Sequence, residues 1–192
     1  MRLILASQSP RRKELLSSLG YEYEVCPADI DETVPKDVES IYVPEILSRN
    51  KALFVLGQNP DAVVIGSDTV VICDGQILGK PQSEEEARLM LSLLSGKKHK
   101  VATGLCVCSK EKTRSFVSVT DVYFHELTPN LIDAYIATGE PMDKAGAYGI
   151  QGVGSVLVKK IDGDYFTVMG LPLSQTARLL SEFGIFGNIL KF

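Results

Sequence analysis

The 192-residue chain predicts an α/β fold with a long mixed sheet, not a uniformly parallel one. Three observations carry this. Short runs rich in Val, Ile and Leu, suited to strands, alternate with stretches whose apolar residues recur at helical spacing. Two hairpin signals, Asp74-Gly75 and the charged tip Lys110-Glu111-Lys112, require antiparallel neighbours. Hydrophobic residues make up 45% and charged residues 23%, enough apolar surface for a sizeable core in one domain or two small lobes.

Arg2 to Ala6 reads as the first strand. Ser9 can cap, and Pro10 can open, a helix with Leu15, Leu16 and Leu19 on its apolar face, ending at Gly20. Tyr21 to Cys26 is a second strand, followed by the acidic loop Asp29-Ile30-Asp31-Glu32. A second helix runs from about Val43 to Gly57 and carries Lys51 among apolar neighbours, a position where a lysine ordinarily snorkels to water. Val63-Val64-Ile65 opens a buried strand, Gly66-Ser67-Asp68-Thr69 interrupts it, and Val70-Val71-Ile72 resumes it. That interruption places Asp68 at the rim of a sheet. A carboxylate between apolar runs needs a cation, a metal or a hydrogen-bond network, unless it closes a turn. Gly66 would let the backbone turn or approach a ligand.

Gln76 to Leu78 returns the hairpin, and Lys80 stands between Gly79 and Pro81 on a stiff loop. Ser83 with Glu86 forms a capping box for a helix through Leu94. The basic run Lys97 to Lys100 leads into a strand from Val101 to Cys108, which pairs with Thr113 to Phe124. His99 reads as structural or surface, or as an acid, base or ligand. Thr128-Pro129 starts a helix to Gly139. From Asp143 to Gly152 small residues dominate, so backbone is packed tightly or brought close to a ligand; Gln151 offers a donor and an acceptor. Val156 to Ile161 and Tyr165 to Val168 read as strands, and Leu171-Pro172 opens a last helix. The apolar tail from Gly187 to Phe192 has no assigned place.

A net charge of −4 argues against a dedicated nucleic-acid or anionic-membrane surface. The first residues are too short an apolar run for a secretory signal, and no stretch is long enough to span a bilayer. Four cysteines with no CxxC pair, and two histidines, make a zinc site unexpected; reduced core thiols in a cytoplasmic protein fit better. Neither a phosphate-binding G-x-x-x-x-G-K-[ST] loop nor a G-x-G-x-x-G turn is present.

The polar features share one ligand chemistry. A strand, a short loop and a helix start form an anion site, and Arg11, Arg12 and Lys13 add cations that oppose the helix dipole. A solvated basic turn fits as well as a polyanion there. Together with Lys80, Asp68 and the Asp29–Glu32 loop, however, the inventory suits a triphosphate with a divalent metal.

On Leu5-Ala6-Ser7-Gln8-Ser9-Pro10-Arg11-Arg12, Gly66 to Thr69, Gly79-Lys80-Pro81, Leu94-Ser95-Gly96 with His99, and Asp143 to Gly152, nearly the whole chain resembles the Maf family of nucleoside triphosphate pyrophosphatases. The resemblance implies a single domain over 1–192, similar to the inosine-triphosphate pyrophosphatases, with two lobes around a cleft. It implies hydrolysis of a triphosphate to the monophosphate and pyrophosphate with Mg²⁺ or Mn²⁺. By resemblance, Ser7, Arg11, Arg12, Lys51 and Lys80 bind the phosphates. Asp68 is the catalytic carboxylate, Glu32 and Asp68 hold the metal, and Thr69 and Gln151 act in substrate binding and base choice. The branch acting on 7-methyl-GTP has Ser-Pro-Trp-Arg and a Gln after the central Asp. Ser9-Pro10-Arg11-Arg12 and Asp68-Thr69 match the dTTP/UTP branch instead, with Ser67 replacing its frequent Ala. A homodimer is compatible with the reading. The rival is a nucleotide-sensing regulator of septum formation whose hydrolysis is vestigial.

Overall fold

The computed structural model describes residues 1–35 and 37–188. In chain order it contains β1 (Arg2–Leu5), α1 (Pro10–Ser18), β2 (Glu24–Val25), α2 (Val43–Gln58), β3 (Ala62–Cys73), β4 (Gln76–Leu78) and α3 (Glu84–Leu94). Then follow β5 (Lys98–Cys108), β6 (Thr113–Phe124), α4 (Pro129–Ile136), three 3₁₀ turns over Glu140–Asp143, Ala145–Ala147 and Gly152–Leu157, β7 (Val158–Asp162), α5 (Tyr165–Met169) and α6 (Leu173–Ser181). The end of the apolar tail, 189–192, lies outside the described residues. Among the described residues, no helix is long and apolar enough to cross a membrane.

The strands form one mixed sheet in the order β2-β1-β3-β5-β6-β7, with β4 also paired to β3. β1 runs parallel to β2 and β3, while β3, β5, β6 and β7 are successively antiparallel. Both faces of the centre are covered, which explains the unbroken apolar runs. Val63, Ile65, Leu105 and Val107 point to one face, against Leu15 and Leu16 of α1 and Leu179 and Leu180 of α6. Their neighbours Val64, Cys106 and Cys108 point to the other, against Ala52 and Val55 of α2.

The expected break in the central strand does not exist. β3 runs through Asp68, which pairs with Gly104 of β5 in the middle of a nine-residue ladder from Val64 to Ile72. Asp68 is therefore inside a strand and not at a sheet rim. The opening is in the neighbour: β1 ends at Leu5, opposite Ile65, and β4 begins pairing only at Val71. Between them, Gly66 to Val70 have no strand on that edge among the described residues. Gly66 makes no turn. A Cβ on it would lie 2.1 Å from the Ser48 carbonyl oxygen, and one on Gly104 would lie 2.0 Å from that of Pro44. These two glycines let α2 settle directly onto the sheet.

Other elements differ from their sequence patterns for local reasons. Tyr21 lies just beyond α1 and is tied back to it, donating its N–H to the Leu16 carbonyl, and β2 is only two residues long. Tyr165 to Met169 is a helix, not a strand. Asp164 caps it by accepting from the N–H groups of Phe166 and Thr167, and Gly170 closes it at φ 97°. The last-but-one strand starts at Val158 because Gly152–Leu157 is coiled into 3₁₀ turns, and α4 ends at Ile136.

Candidate functional site

The gap beside β3 opens into a cleft of about 1300 Å³. The nine residues to which the resemblance assigns roles line it: Ser7, Arg11, Arg12, Glu32, Lys51, Asp68, Thr69, Lys80 and Gln151; Lys13 and His99 do not. The alternation of β3 sorts them. Asp68, on the face of Gly66, meets α2; Ser67 and Thr69, on the opposite face, meet α5 and Arg12.

On the α2 face, close seating of the helix over Gly66 brings Lys51 within reach of Asp68. Its ammonium lies 2.6 Å from Asp68 Oδ1 and 2.7 Å from Glu32 Oε1. Glu32 comes from the acidic loop after β2, 36 positions before Asp68. Lys51 thus joins two carboxylates instead of snorkelling. Asp68 Oδ2 has no partner among the described residues.

On the other face, Arg12 is built in. Its Nε donates to the Gly170 carbonyl at 2.8 Å, Nη1 to Ser7 Oγ at 3.1 Å and Nη2 to Thr69 Oγ1 at 3.1 Å. Thr69 Oγ1 is 3.0 Å from Thr103 Oγ1, which donates to the Thr167 carbonyl. Burial lowers the Arg12 pKa from its ordinary value, and Asp68 partly restores it. Three of the five guanidinium N–H groups are used, leaving two for a ligand. Ser9 occupies the N-cap position of α1, yet its side chain caps no backbone N–H, so the first amides of that helix stay available to an anion.

The cations at the cleft mouth are looser. Arg11 Nη2 is 3.9 Å from Asp143 Oδ2, and Lys80 is exposed with no ion pair among the described residues. The Gly79 carbonyl accepts from Gly146 N–H at 2.9 Å, which ties the Lys80 loop to the small-residue segment. Burial alone would raise the Asp143 carboxyl, but Lys144 and then Arg11 outweigh it and hold it below the usual range.

Sequence reasoning missed Glu140 and its contacts. Glu140, also lining the cleft, accepts three hydrogen bonds from Tyr135 and the backbone around Gly152. The available signal was the glycines, which pack around this carboxylate. His99 is buried at 2% exposure, with Nε2 2.8 Å from the hydroxyl of Tyr148 in the cleft wall. Among the described residues its Nδ1 has no partner, and no group of three or more His, Cys, Asp or Glu could hold a metal ion.

The family model described as "Maf-like protein" matches residues 2–183. A dTTP/UTP pyrophosphatase of Bacillus pumilus is 51% identical over 183 residues, covering 95% of this chain and 97% of that protein. One from Bacillus velezensis is 50% identical over 184 residues, covering 96% and 97%. A HAM1 protein from Coxiella burnetii, at 15% identity, shares the fold with a TM-score of 0.55 over 95% of this chain and 99% of that one. With a matching family model over nearly all its length and relatives at half identity, the chain belongs to the Maf-like protein family.

Proposed function

We propose that the chain hydrolyses dTTP and UTP to the monophosphate and pyrophosphate, acting as one domain whose two lobes enclose the cleft. The observation that carries the reading is the meeting of Arg12, Lys51 and Lys80 with Glu32 and Asp68 in that one cleft. Arg11, Arg12, Lys51, Lys80 and the hydroxyl of Ser7 bind the phosphates. Asp68 orients the attacking water and takes its proton at Oδ2. Attack at the α-phosphorus breaks the bond to the bridging oxygen, and the cations offset the charge on departing pyrophosphate. Thr69 and Gln151 select the base. The intact carboxylates beside intact cations favour hydrolysis over a pure nucleotide sensor, which has no need of a water-activating group.

A divalent ion, Mg²⁺ or Mn²⁺, suits the donor set. Glu32 and Asp68 converge on a single point now taken by the Lys51 ammonium, and Mg²⁺ is commonly held by one or two carboxylates with waters and substrate phosphates. When bound, the ion would neutralise phosphate charge and polarise phosphoryl oxygens. Pyrophosphate release across a panel of triphosphates, with and without Mg²⁺ or Mn²⁺, tests the proposal. Turnover of dTTP and UTP well above dATP, GTP and 7-methyl-GTP is expected. Equal rates across purines and pyrimidines would sink the base assignment, and no pyrophosphate from any triphosphate would sink the activity.

A further inference from the structure

Gln151 is exposed at the cleft edge, on a loop of glycines, yet an amide that reads a base must be held still to discriminate. The loop is held from both sides by one pair of side chains. On its N-terminal side, Gly149 N–H donates to the Tyr135 hydroxyl at 3.0 Å. That hydroxyl donates onward to Glu140 Oε1 at 2.9 Å. On its C-terminal side, Gly154 N–H donates to the same Oε1 at 3.1 Å, and Val153 N–H donates to Oε2 at 3.1 Å. Gln151 sits between these attachments.

The sequence is adapted to this contact. A Cβ on Gly152, whose φ is +65°, would stand 2.8 Å from Glu140 Oε2. One on Gly154 would stand 2.4 Å from the Gly149 carbonyl oxygen and 2.5 Å from the Tyr135 hydroxyl. Only bare backbone can close around the two groups. Burial, and then the neighbouring carboxylate, push the Tyr135 hydroxyl above its usual range against the opposing Gly149 bond, so it stays a neutral donor.

We infer that Tyr135 and Glu140 form a clamp that positions Gln151, making them positioning residues for base discrimination though neither reads the base. This rests on the proposed role of Gln151. Removing either clamp group frees the loop to sample several orientations, so the right base loses its advantage while phosphate binding, carried by other side chains, persists.

The test measures binding of α,β-methylene UTP and α,β-methylene CTP by calorimetry in wild type, Tyr135→Phe, Glu140→Gln and Gln151→Ala, and in the Tyr135→Phe/Gln151→Ala double variant. The UTP/CTP affinity ratio should fall by about fivefold in each clamp variant, the scale of one lost hydrogen bond. Gln151→Ala should collapse it as well, and adding Tyr135→Phe to Gln151→Ala should change it no further, since both act through one group. A purely structural role would weaken both analogues together and leave the ratio alone, which would overturn the inference. If wild type does not discriminate, or Gln151→Ala keeps the ratio, the role of Gln151 fails and the clamp with it. If Gln151→Ala loses the ratio while both clamp variants keep it, only the clamp fails. Amide hydrogen exchange on the wild-type chain needs no variant to fold: Gly149, Val153 and Gly154 should be protected, and free exchange at all three would also overturn the clamp.

Discussion

Lys51 Nζ stands 2.6 Å from Asp68 Oδ1, with 12% and 13% of the two side chains exposed. The pair links the middle of α2 to the middle of β3, and it is made possible by the missing side chains at Gly66 and Gly104. A reading of Asp68 as an unpaired buried charge would have its removal relieve strain. The ion pair reverses the sign of that expectation.

Asp68→Asn keeps the shape of the side chain and removes its negative charge. It should lower kcat by at least ~10²-fold, the lower end of what a positioned base contributes. Nucleotide affinity should hold or tighten, because a charge facing the phosphates is gone. Stability should fall by about 1 kcal/mol as a charged hydrogen bond becomes a neutral one. Single-turnover hydrolysis, calorimetry with a non-hydrolysable dTTP analogue, and urea unfolding check the three. Normal turnover would return Asp68 to a purely structural place in the strand.

If Glu32 and Asp68 hold the metal as proposed, Lys51 and a divalent ion compete for the same two carboxylates. Lys51→Met should therefore bind Mn²⁺ in the absence of nucleotide at least about tenfold more tightly than wild type, while losing triphosphate affinity. Electron paramagnetic resonance titration of free Mn²⁺ reads this without any turnover. Unchanged or weaker Mn²⁺ binding would mean that Glu32 and Asp68 do not form the metal site.

Arg12 and Lys80 separate structure from binding. Each alanine substitution should cost about 2 kcal/mol in kcat/KM, the worth of a charge-assisted contact. Only Arg12→Ala should also lower thermal stability, because its fork ties Ser7, Thr69 and Gly170 together, whereas Lys80 is exposed. Equal melting temperatures in the two variants would contradict the bracing role of Arg12.

His99 makes acid stability a local question. Burial depresses its pKa to about 4, with Asp121 opposing, and the ring lies against Phe124 and Tyr148. The folded state thus resists a proton that the unfolded chain accepts near pH 6.5. The stability from keeping this ring neutral is present above pH 6.5 and is lost as pH falls toward 4, at up to about 1.4 kcal/mol per pH unit. His99→Phe removes this titration. Its unfolding free energy should decline less steeply than that of wild type between pH 6.5 and 4.5. Parallel curves would show that His99 is not the group responsible.

Much of the fold was legible because its signals are local. The Ser83 hydroxyl accepts from Glu86 N–H, Thr128 caps α4, and Asp74-Gly75 turns β3 into β4, each settled by residues within a few positions. Asp164 and Gly170 carried an equally local message, a cap and a stop, but the apolar run between them reads as a strand when those ends are overlooked. The residues of the candidate site were legible as types: cations at a helix start, carboxylates beside apolar runs, a lysine between Gly and Pro.

What the sequence by itself determined is this inventory of elements and charged groups, since propensity, capping and periodicity act over a turn or two of chain. Which charges meet was decided by the tertiary structure alone. Glu32, Lys51 and Asp68 belong to a loop, a helix and a strand, and they converge only because α2 rests on two bare glycines of adjacent strands. The cleft itself arises from an absence no local pattern encodes: β1 stops at Leu5 and β4 starts pairing at Val71, leaving the polar stretch of β3 between them open to a ligand. Strand pairing and helix seating depend on residues far apart in the chain, and so does the geometry that turns separate polar residues into one site.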